Sequence, residues 1–565
     1  MFTWGLESIK TSGADIVPIE LASVLVIIGP NGSGKSTALR EILNVLQGGN
    51  EPRRVVSEIV PHRDGTPQEF EDWLAGHYPV RSINGTPHVY TRGGAIPLSN
   101  ARPIWDNGPL MSGAHLFLTH LLDTTTRLAV STYTNSIDVW TSPPQTYIHV
   151  LQTNDELAKK VSNEVRAAFG FDLVIDWTAG AQVGFRVGTE PARTVASDRV
   201  SQEYAENLRL LPQLDQEGDG VRSFVGSVLA AYCGSHPVLL IDEPEAFLHP
   251  PQARRLGSAL AKSVGGGRQV IVATHSSDVV QGAVDGSSSV AVLRLTRNAG
   301  LNRASLLPSA DLNALWSKPQ MRSAAAVDGL FSNGVVICEA DSDARFYETL
   351  VQRFDTSGKV DRAPDLYFVA AGGKGGIATL ASAYHRMGTP TAVIADLDLL
   401  RNEKELEAVL ASVGGDIGSE VGPYRSLLSE LRALPPTLKV DDFVAAVRRE
   451  LSKIKAAGSL SSASKRELNN LVENAADWSS GKRNGITTIR GGARSQAESL
   501  LERWRQLGLF LVPLGELESW WQAGPASKSD WIAAAIPEAS IPGTMPAATE
   551  FIARLLAFFG ISGAA

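Results

Sequence analysis

The chain has 565 residues, 43% of them hydrophobic and 20% charged, and its 52 basic and 60 acidic residues leave a net charge of −8. That length holds about two to four domains, and the composition excludes a disordered chain, a collagen and a coiled-coil rod. The acidic balance argues against a strongly basic nucleic-acid coat protein, though not against a local basic groove. Cys233 and Cys338 are too few for a disulfide framework, and both read as buried reduced thiols in or beside apolar runs. No apolar stretch has the length of a membrane-spanning helix. The start, Met1 to Glu7, lacks the basic and apolar segments of a signal peptide. A cytoplasmic chain without a membrane role is expected.

In chain order, Val24-Leu-Val-Ile-Ile28 reads as a buried strand. Gly29-Pro-Asn-Gly-Ser-Gly-Lys-Ser-Thr37 follows it and fits G-x-x-x-x-G-K-[ST], and the segment from Thr37 to Leu46 reads as a helix. Gly29, Gly32 and Gly34 let the backbone of this loop, with Asn31 and Thr37, wrap a phosphate. Lys35 supplies a cation between terminal phosphates, and Ser36 offers its hydroxyl to Mg²⁺. The strand Val238 to Ile241 ends in two carboxylates. Asp242 can join the Mg²⁺ shell and Glu243 can polarise an attacking water. The strand Val270 to Ala273 runs on to His275, at a neighbouring strand tip within reach of a γ-phosphate. The run Val290 to Leu293 is a further strand, and Thr296 to Asn333 carries no obvious one. A domain boundary is expected near residue 330.

These motifs resemble those of ABC-type ATPases, in the branch of the SMC and RecF proteins. The resemblance implies ATP as the nucleotide and His275 as the switch histidine. It also implies head-to-head dimers in which a signature helix of one subunit caps the ATP of the other. The best candidate for that signature is Gly218-Asp-Gly-Val-Arg-Ser223, ahead of an apolar helix from Phe224 to Tyr232. Ser223 would contact nucleotide there, although the wording departs from Leu-Ser-Gly-Gly-Gln and Ser223 could instead be a helix N-cap.

Beyond the boundary, apolar runs from Val335 to Cys338, Leu366 to Ala370, Thr391 to Ala395 and Leu509 to Pro513 alternate with helical patterns. This is the signature of a buried parallel sheet and an α/β architecture. The first run ends in Glu339, with Asp343 following, and the third ends in Asp396-Leu-Asp398. Strand alternation would place Asp396 and Asp398 on one face. Carboxylates crowded together need a cation, and hard oxygen ligands suit Mg²⁺ or Mn²⁺, which can assist phosphodiester cleavage. The pattern resembles the TOPRIM domain of topoisomerases, primases and nucleases. By that resemblance Glu339 is a general acid/base or metal ligand, and Asp396 and Asp398 bind metal. Lys374, in Ala371-Gly-Gly-Lys-Gly-Gly376, could hold a phosphate. OLD-like (overcoming lysogenization defect) nucleases carry a later acidic residue and a late lysine. Glu518 is the better match for the acid, ahead of Glu516, and Lys482 is the matching lysine. Asp343 and Ala340 stand where OLD proteins often have Glu and Gly.

The segment from Ser412 to Arg494 reads as a helical insertion, with loops at Ser459–Ser464 and Ser479–Gly485. From Ser452 to Arg494 it carries eight basic residues against Glu467, Glu473 and Asp477. That excess could track a phosphate backbone or be a solvated helix face. Trp504, Trp520 and Trp521 could stack on bases or fill the core. The whole organisation is an ABC-type ATPase over 1–330, then a TOPRIM domain over 331–565 with an insertion over about 412–494. It resembles OLD-family nucleases and the ATPase/TOPRIM pair of PARIS-type anti-phage defence systems. The resemblance implies an ATP-regulated, metal-dependent nuclease acting on DNA or tRNA, self-associated through its ATPase heads as a dimer or larger, and answering a phage trigger protein. Glu243, His275, Glu339, Asp396 and Asp398 would be its catalytic residues. The rival is a repair mediator or sensing scaffold without nuclease activity.

Overall fold

A computed structural model describes residues 2–91, 94–139, 142, 144–192, 201–265, 267–318, 324–358, 360–476, 478–525 and 528–561. The chain divides into two compact units, Met1–Phe331 and Ser332–Ala565.

The first unit is built on a six-stranded sheet. Its order is Leu301–Leu307, Val290–Asn298, Val24–Ile28, Gln269–Ala273, Val238–Asp242 and Thr119–Leu122. Neighbours run parallel except the first pair. Val24–Ile28, Val238–Asp242 and Gln269–Ala273 are buried at every position. Strands covered on both faces have no polar side to show, so they appear in sequence as unbroken apolar runs. Thr3–Thr11 pairs antiparallel with Ile16–Pro18 and Val56–Asp64 in a separate sheet. Contrary to the expectation for 296–333, Leu301–Leu307 is a strand. A two-residue turn at Ala299 and Gly300, with φ of 48° and 84°, folds it back on Val290–Asn298. Its mixed burial gives it no apolar run to read.

The second unit has a parallel sheet in the order Leu366–Ala370, Gly334–Cys338, Thr391–Ala395 and Leu509–Leu511. Helix Asp341–Thr356 packs Phe346, Tyr347 and Leu350 against Phe510, Phe551 and Leu555 in its core. The chain between Thr391–Ala395 and Leu509–Leu511 is helical. Helices Val440–Ala457 and Ser462–Ala475 form a hairpin, closed at its base by Leu438 N–H donating to the Asn474 carbonyl at 2.9 Å. Ser479–Asn484 is a short helix where a loop was expected, and Ser462 already begins a helix inside the other expected loop. Asp477, counted in the charge balance of the insertion, lies outside the described residues. Trp504 and Trp520 are 1% and 6% exposed, so both belong to the core and neither is free to stack on a base. Among the described residues no helix is long and apolar enough to cross a membrane.

Candidate functional site

The phosphate loop leaves the end of strand Val24–Ile28. Gly29, Gly32 and Gly34 take φ of 141°, 77° and 95°, which suits glycine alone, and a side chain at Gly29 would strike the Leu295 carbonyl. Gly34 caps helix Lys35–Leu46 without a side-chain bond, so the first-turn N–H groups stay available to an anion. The buried Lys35 ammonium donates to the Gly29 and Pro30 carbonyls at 2.8 and 3.2 Å, and burial pulls its pKa below the ordinary lysine range. Asn31, Ser36, Thr37, Arg40, Arg53, Arg54 and Glu243 line the cleft around it. The buried Glu41 carboxylate accepts the N–H groups of Arg54, Val55 and Val56 at 2.7, 3.0 and 2.7 Å, fastening that loop to the helix.

Asp242 ends the strand Val238–Asp242, separated from Val24–Ile28 by Gln269–Ala273. The Ser36 hydroxyl bonds its carboxylate, while burial pushes the carboxyl above its ordinary range. Its Oδ1 is buried without a hydrogen-bond partner among the described residues, as a cation ligand would be. Glu243 holds φ of 48°, a strained value for a side-chain-bearing residue. His275 Nδ1 lies 3.8 Å from Glu243 Oε1 and 3.2 Å from Glu245 Oε1. The His275 backbone N–H also donates to Glu245 Oε1 at 2.9 Å. The structure thus brings Lys35, Ser36, Asp242, Glu243 and His275 to neighbouring ends of parallel strands, and adds Glu245.

Ser223 is placed otherwise. Helix Asp219–Cys233 begins ahead of it, so Ser223 is neither an N-cap nor a surface contact. It is fully buried, and its hydroxyl accepts from Arg127 Nε at 3.1 Å. A serine without exposed surface cannot reach the nucleotide of another subunit, so its expected nucleotide contact is withdrawn. Arg127, itself fully buried, also donates to the carbonyls of Asp242 and Glu243 at 2.5 and 2.9 Å. One guanidinium therefore ties the Ser223 helix to the acidic strand end. Sequence reading missed Arg127, whose partners lie far along the chain.

In the second unit all four parallel strands end at one edge of the sheet. In chain order they stand 2-1-3-4, so the direction of winding reverses between Gly334–Cys338 and Thr391–Ala395. Open α/β sheets bind ligands in the crevice at such a reversal. Glu339 and Asp396 are the residues that follow these two strands. The Glu339 carbonyl accepts the Gly373 N–H at 3.0 Å, joining it to the glycine turn that carries Lys374. Lys374 Nζ lies 2.5 Å from Asp398 Oδ2, while Asp398 Oδ1 is buried without a hydrogen-bond partner among the described residues. Leu397 N–H donates to the Gly515 carbonyl at 2.8 Å, which brings the Glu516 segment to the same edge. Lys482 Nζ stands 3.3 Å from Glu516 Oε2. Glu518 lies in the short turn Leu517–Trp520 just beyond.

Two expectations change. Thr391–Ala395 ends before Asp396, and Asp398 belongs to the 3₁₀ turn Leu397–Arg401, so strand alternation does not set their relation. Asp343 serves as a helix cap. Its carboxylate accepts the Ala340 N–H at 3.2 Å and the Ser342 hydroxyl at 3.1 Å, within the first turn of its helix. Among the described residues no three His, Cys, Asp or Glu side chains come together to form a cage for a metal ion, so Glu339, Asp343, Asp396, Asp398 and Glu518 are not assembled as one cluster. Lys374 lies against Asp398, and Lys482 lies against Glu516. This donor set still fits Mg²⁺, which keeps most of its waters and takes one or two carboxylates plus substrate phosphates.

A family model for an AAA domain (putative AbiEii toxin, type IV toxin–antitoxin system) matches residues 123–280. One for the TOPRIM domain of overcoming lysogenization defect-like proteins matches residues 330–398. The two models together cover less than half of the chain, which in these segments is similar to an AAA-type ATPase domain and to an OLD-like TOPRIM domain. It is 26% identical over 215 residues to the Old nuclease of Escherichia phage P2, an alignment covering 35% of this chain and 36% of that protein, so the chain spans about a third of that relative. An Smc head domain from Pyrococcus furiosus aligns with 56% of this chain and 99% of its own, at 10% identity and a TM-score of 0.32. The SMC head domain from Thermotoga maritima aligns over 54% and 97%, at 13% identity and a TM-score of 0.28. The AAA match contains Arg127, Asp242, Glu243, Glu245 and His275, and the TOPRIM match contains Glu339, Asp343, Lys374, Asp396 and Asp398. The phosphate loop, the helical insertion and Glu516 to Glu518 lie outside both.

Proposed function

We propose that the chain is an ATP-regulated, divalent-metal-dependent nuclease acting in defence against phage or other foreign genetic elements. The observation that carries this reading is that Glu339, the Asp396–Asp398 turn and the Glu516 segment all follow strand ends at one edge of the second unit's sheet, at its winding reversal and beside two lysines. Lys35, Ser36 and Asp242 hold Mg·ATP, Glu243 aligns the attacking water, and His275, oriented by Glu245, senses the γ-phosphate. ATP binding joins two ATPase heads, and a phage protein is the trigger. Glu339, Asp396, Asp398 and Glu518 are the metal-holding acids. A bound Mg²⁺ or Mn²⁺ supplies an activated water and charge stabilisation at the leaving oxygen. Lys374, beside Asp398, and Lys482, beside Glu516, would face the phosphates of DNA or tRNA.

The test incubates purified protein with plasmid DNA and with total tRNA, with and without ATP, in Mg²⁺ or Mn²⁺. Cleavage of one substrate is expected, and Asp396→Ala should lower it by roughly a hundredfold or more while ATP binding stays unchanged. An Asp396→Ala protein that cuts as well as its parent removes the nuclease assignment and leaves the sensing scaffold.

A further inference from the structure

The antiparallel pair Val290–Asn298 and Leu301–Leu307 meets the phosphate loop at both of its ends. Val290–Asn298 runs parallel beside Val24–Ile28, so its far end and the turn after it stand where the loop begins. The Leu295 carbonyl closes against Gly29 and leaves no room for a side chain there. Past the turn, the Asn302 side chain donates from Nδ2 to the Ser33 carbonyl at 2.5 Å. Asn302 is 2% exposed, and an amide is costly to bury unless its groups are bonded. Its backbone is held as well. The Asn302 N–H donates to Ser12 Oγ at 2.9 Å, and its carbonyl accepts the Gly13 N–H at 2.8 Å. One residue of the edge strand thus joins the phosphate loop to the turn after Thr3–Thr11.

The bond falls on the peptide that most needs it. The Ser33–Gly34 unit lies between Gly32 and Gly34, which hold φ of 77° and 95° and lack the side chain that limits rotation elsewhere. A planar trans peptide points its C=O and N–H in opposite directions, so fixing the carbonyl also aims the Gly34 N–H. We infer that Asn302, on the reading of residues 29–37 as an ATP loop, is a positioning residue for nucleotide binding. It holds the Ser33–Gly34 peptide so that the Gly34 N–H faces the phosphates. Asn302 acts through the loop, not on the nucleotide. Its amide orders the loop as the chain folds, and an ordering already made is no longer a cost of binding. An apolar side chain of similar shape has no N–H for the Ser33 carbonyl.

The test titrates the full chain with ATP and with inorganic pyrophosphate, which keeps phosphates and drops the base and ribose. Asn302→Ala and Asn302→Leu should each raise both Kd values about tenfold, the change that one lost hydrogen bond can bring. Leucine nearly matches asparagine in shape, so equal losses assign the effect to the amide and not to packing. At saturating ATP the hydrolysis rate should stay within about twofold, because Glu243 and His275 are untouched, so KM rises while kcat holds. Gln269→Met is the control for an amide with a purely structural part. Gln269 is buried at the start of the strand whose other end leads to His275, and it bonds Leu6 and the Glu20 carbonyl. Its loss should lower the urea midpoint and leave both Kd values alone. Asn302 variants that bind ATP as the parent does, an Asn302→Leu that keeps the parent's affinity, or a Gln269→Met that loses as much affinity, each overturn the role of Asn302. The ATP reading stands through those results as long as Lys35→Ala abolishes binding. A parent that binds neither ligand, or a Lys35→Ala chain that binds both as well as the parent, removes the ATP reading and the role of Asn302 with it.

Discussion

Arg127 shows how one residue can fix a site without touching a ligand. Its guanidinium fork reaches two carbonyls at the acidic strand end and the Ser223 hydroxyl, all away from water. Arg127→Met removes the donors and leaves those carbonyls unsatisfied, at a cost of about 3 kcal/mol. A lower urea midpoint and weaker nucleotide binding should follow, and Arg127→Lys should recover little because a single ammonium cannot reproduce the fork. An unchanged midpoint would contradict that role. The thiols provide a second check at this scale. Burial pushes Cys233 up to about 12 and Cys338 well above the usual thiol range. Neither should react with iodoacetamide at about pH 8 in the folded chain, and both should once it is unfolded.

Among the elements, those read most easily in the sequence are buried on both faces. Val24–Ile28, Val238–Asp242 and Thr391–Ala395 lie in sheet interiors, and an unbroken apolar run admits little else. Half-covered strands such as Thr3–Thr11 and Leu301–Leu307 share the burden between faces and antiparallel partners, so their sequences blend with loops. The phosphate loop is legible because its chemistry is local. Glu245, Arg127 and the pairing of Lys374 with Asp398 are not, since each joins segments that only folding brings together. Asp343 is ambiguous for the opposite reason: an acid near a strand end serves a helix cap as readily as a metal. The turn holding Lys482 against Glu516 offers a test of element geometry. Gly515 and Gly372 both hold positive φ, 109° and 69°, yet a side chain at Gly515 would run into the Lys482 carbonyl while Gly372 faces open space. Gly515→Ala should therefore lower the melting temperature well beyond Gly372→Ala, by about 1–3 kcal/mol of stability more, and should cut cleavage along with it. Equal losses in the two variants would mean the close packing around Lys482 does not matter.

For the molecule as a whole, two compact units imply that unfolding need not be a single transition. Calorimetry of the full chain should resolve two components. Mg·ATP at about a hundred times its Kd should stabilise one of them by about 2.7 kcal/mol and leave the other in place. If both shift equally, nucleotide binding is not confined to the phosphate-loop unit. The base of the helical hairpin has a consequence of another kind. Because Leu438 and Asn474 meet at one hydrogen bond, the chain returns to the point from which it left. The hairpin is thus a detour on the path, not a link in it. Its length can change by whole turns, or it can be transplanted to another scaffold, with no strand of the sheet having to move. In evolution such an appendage can be lengthened, lost or re-addressed while the acidic edge beneath it keeps its shape.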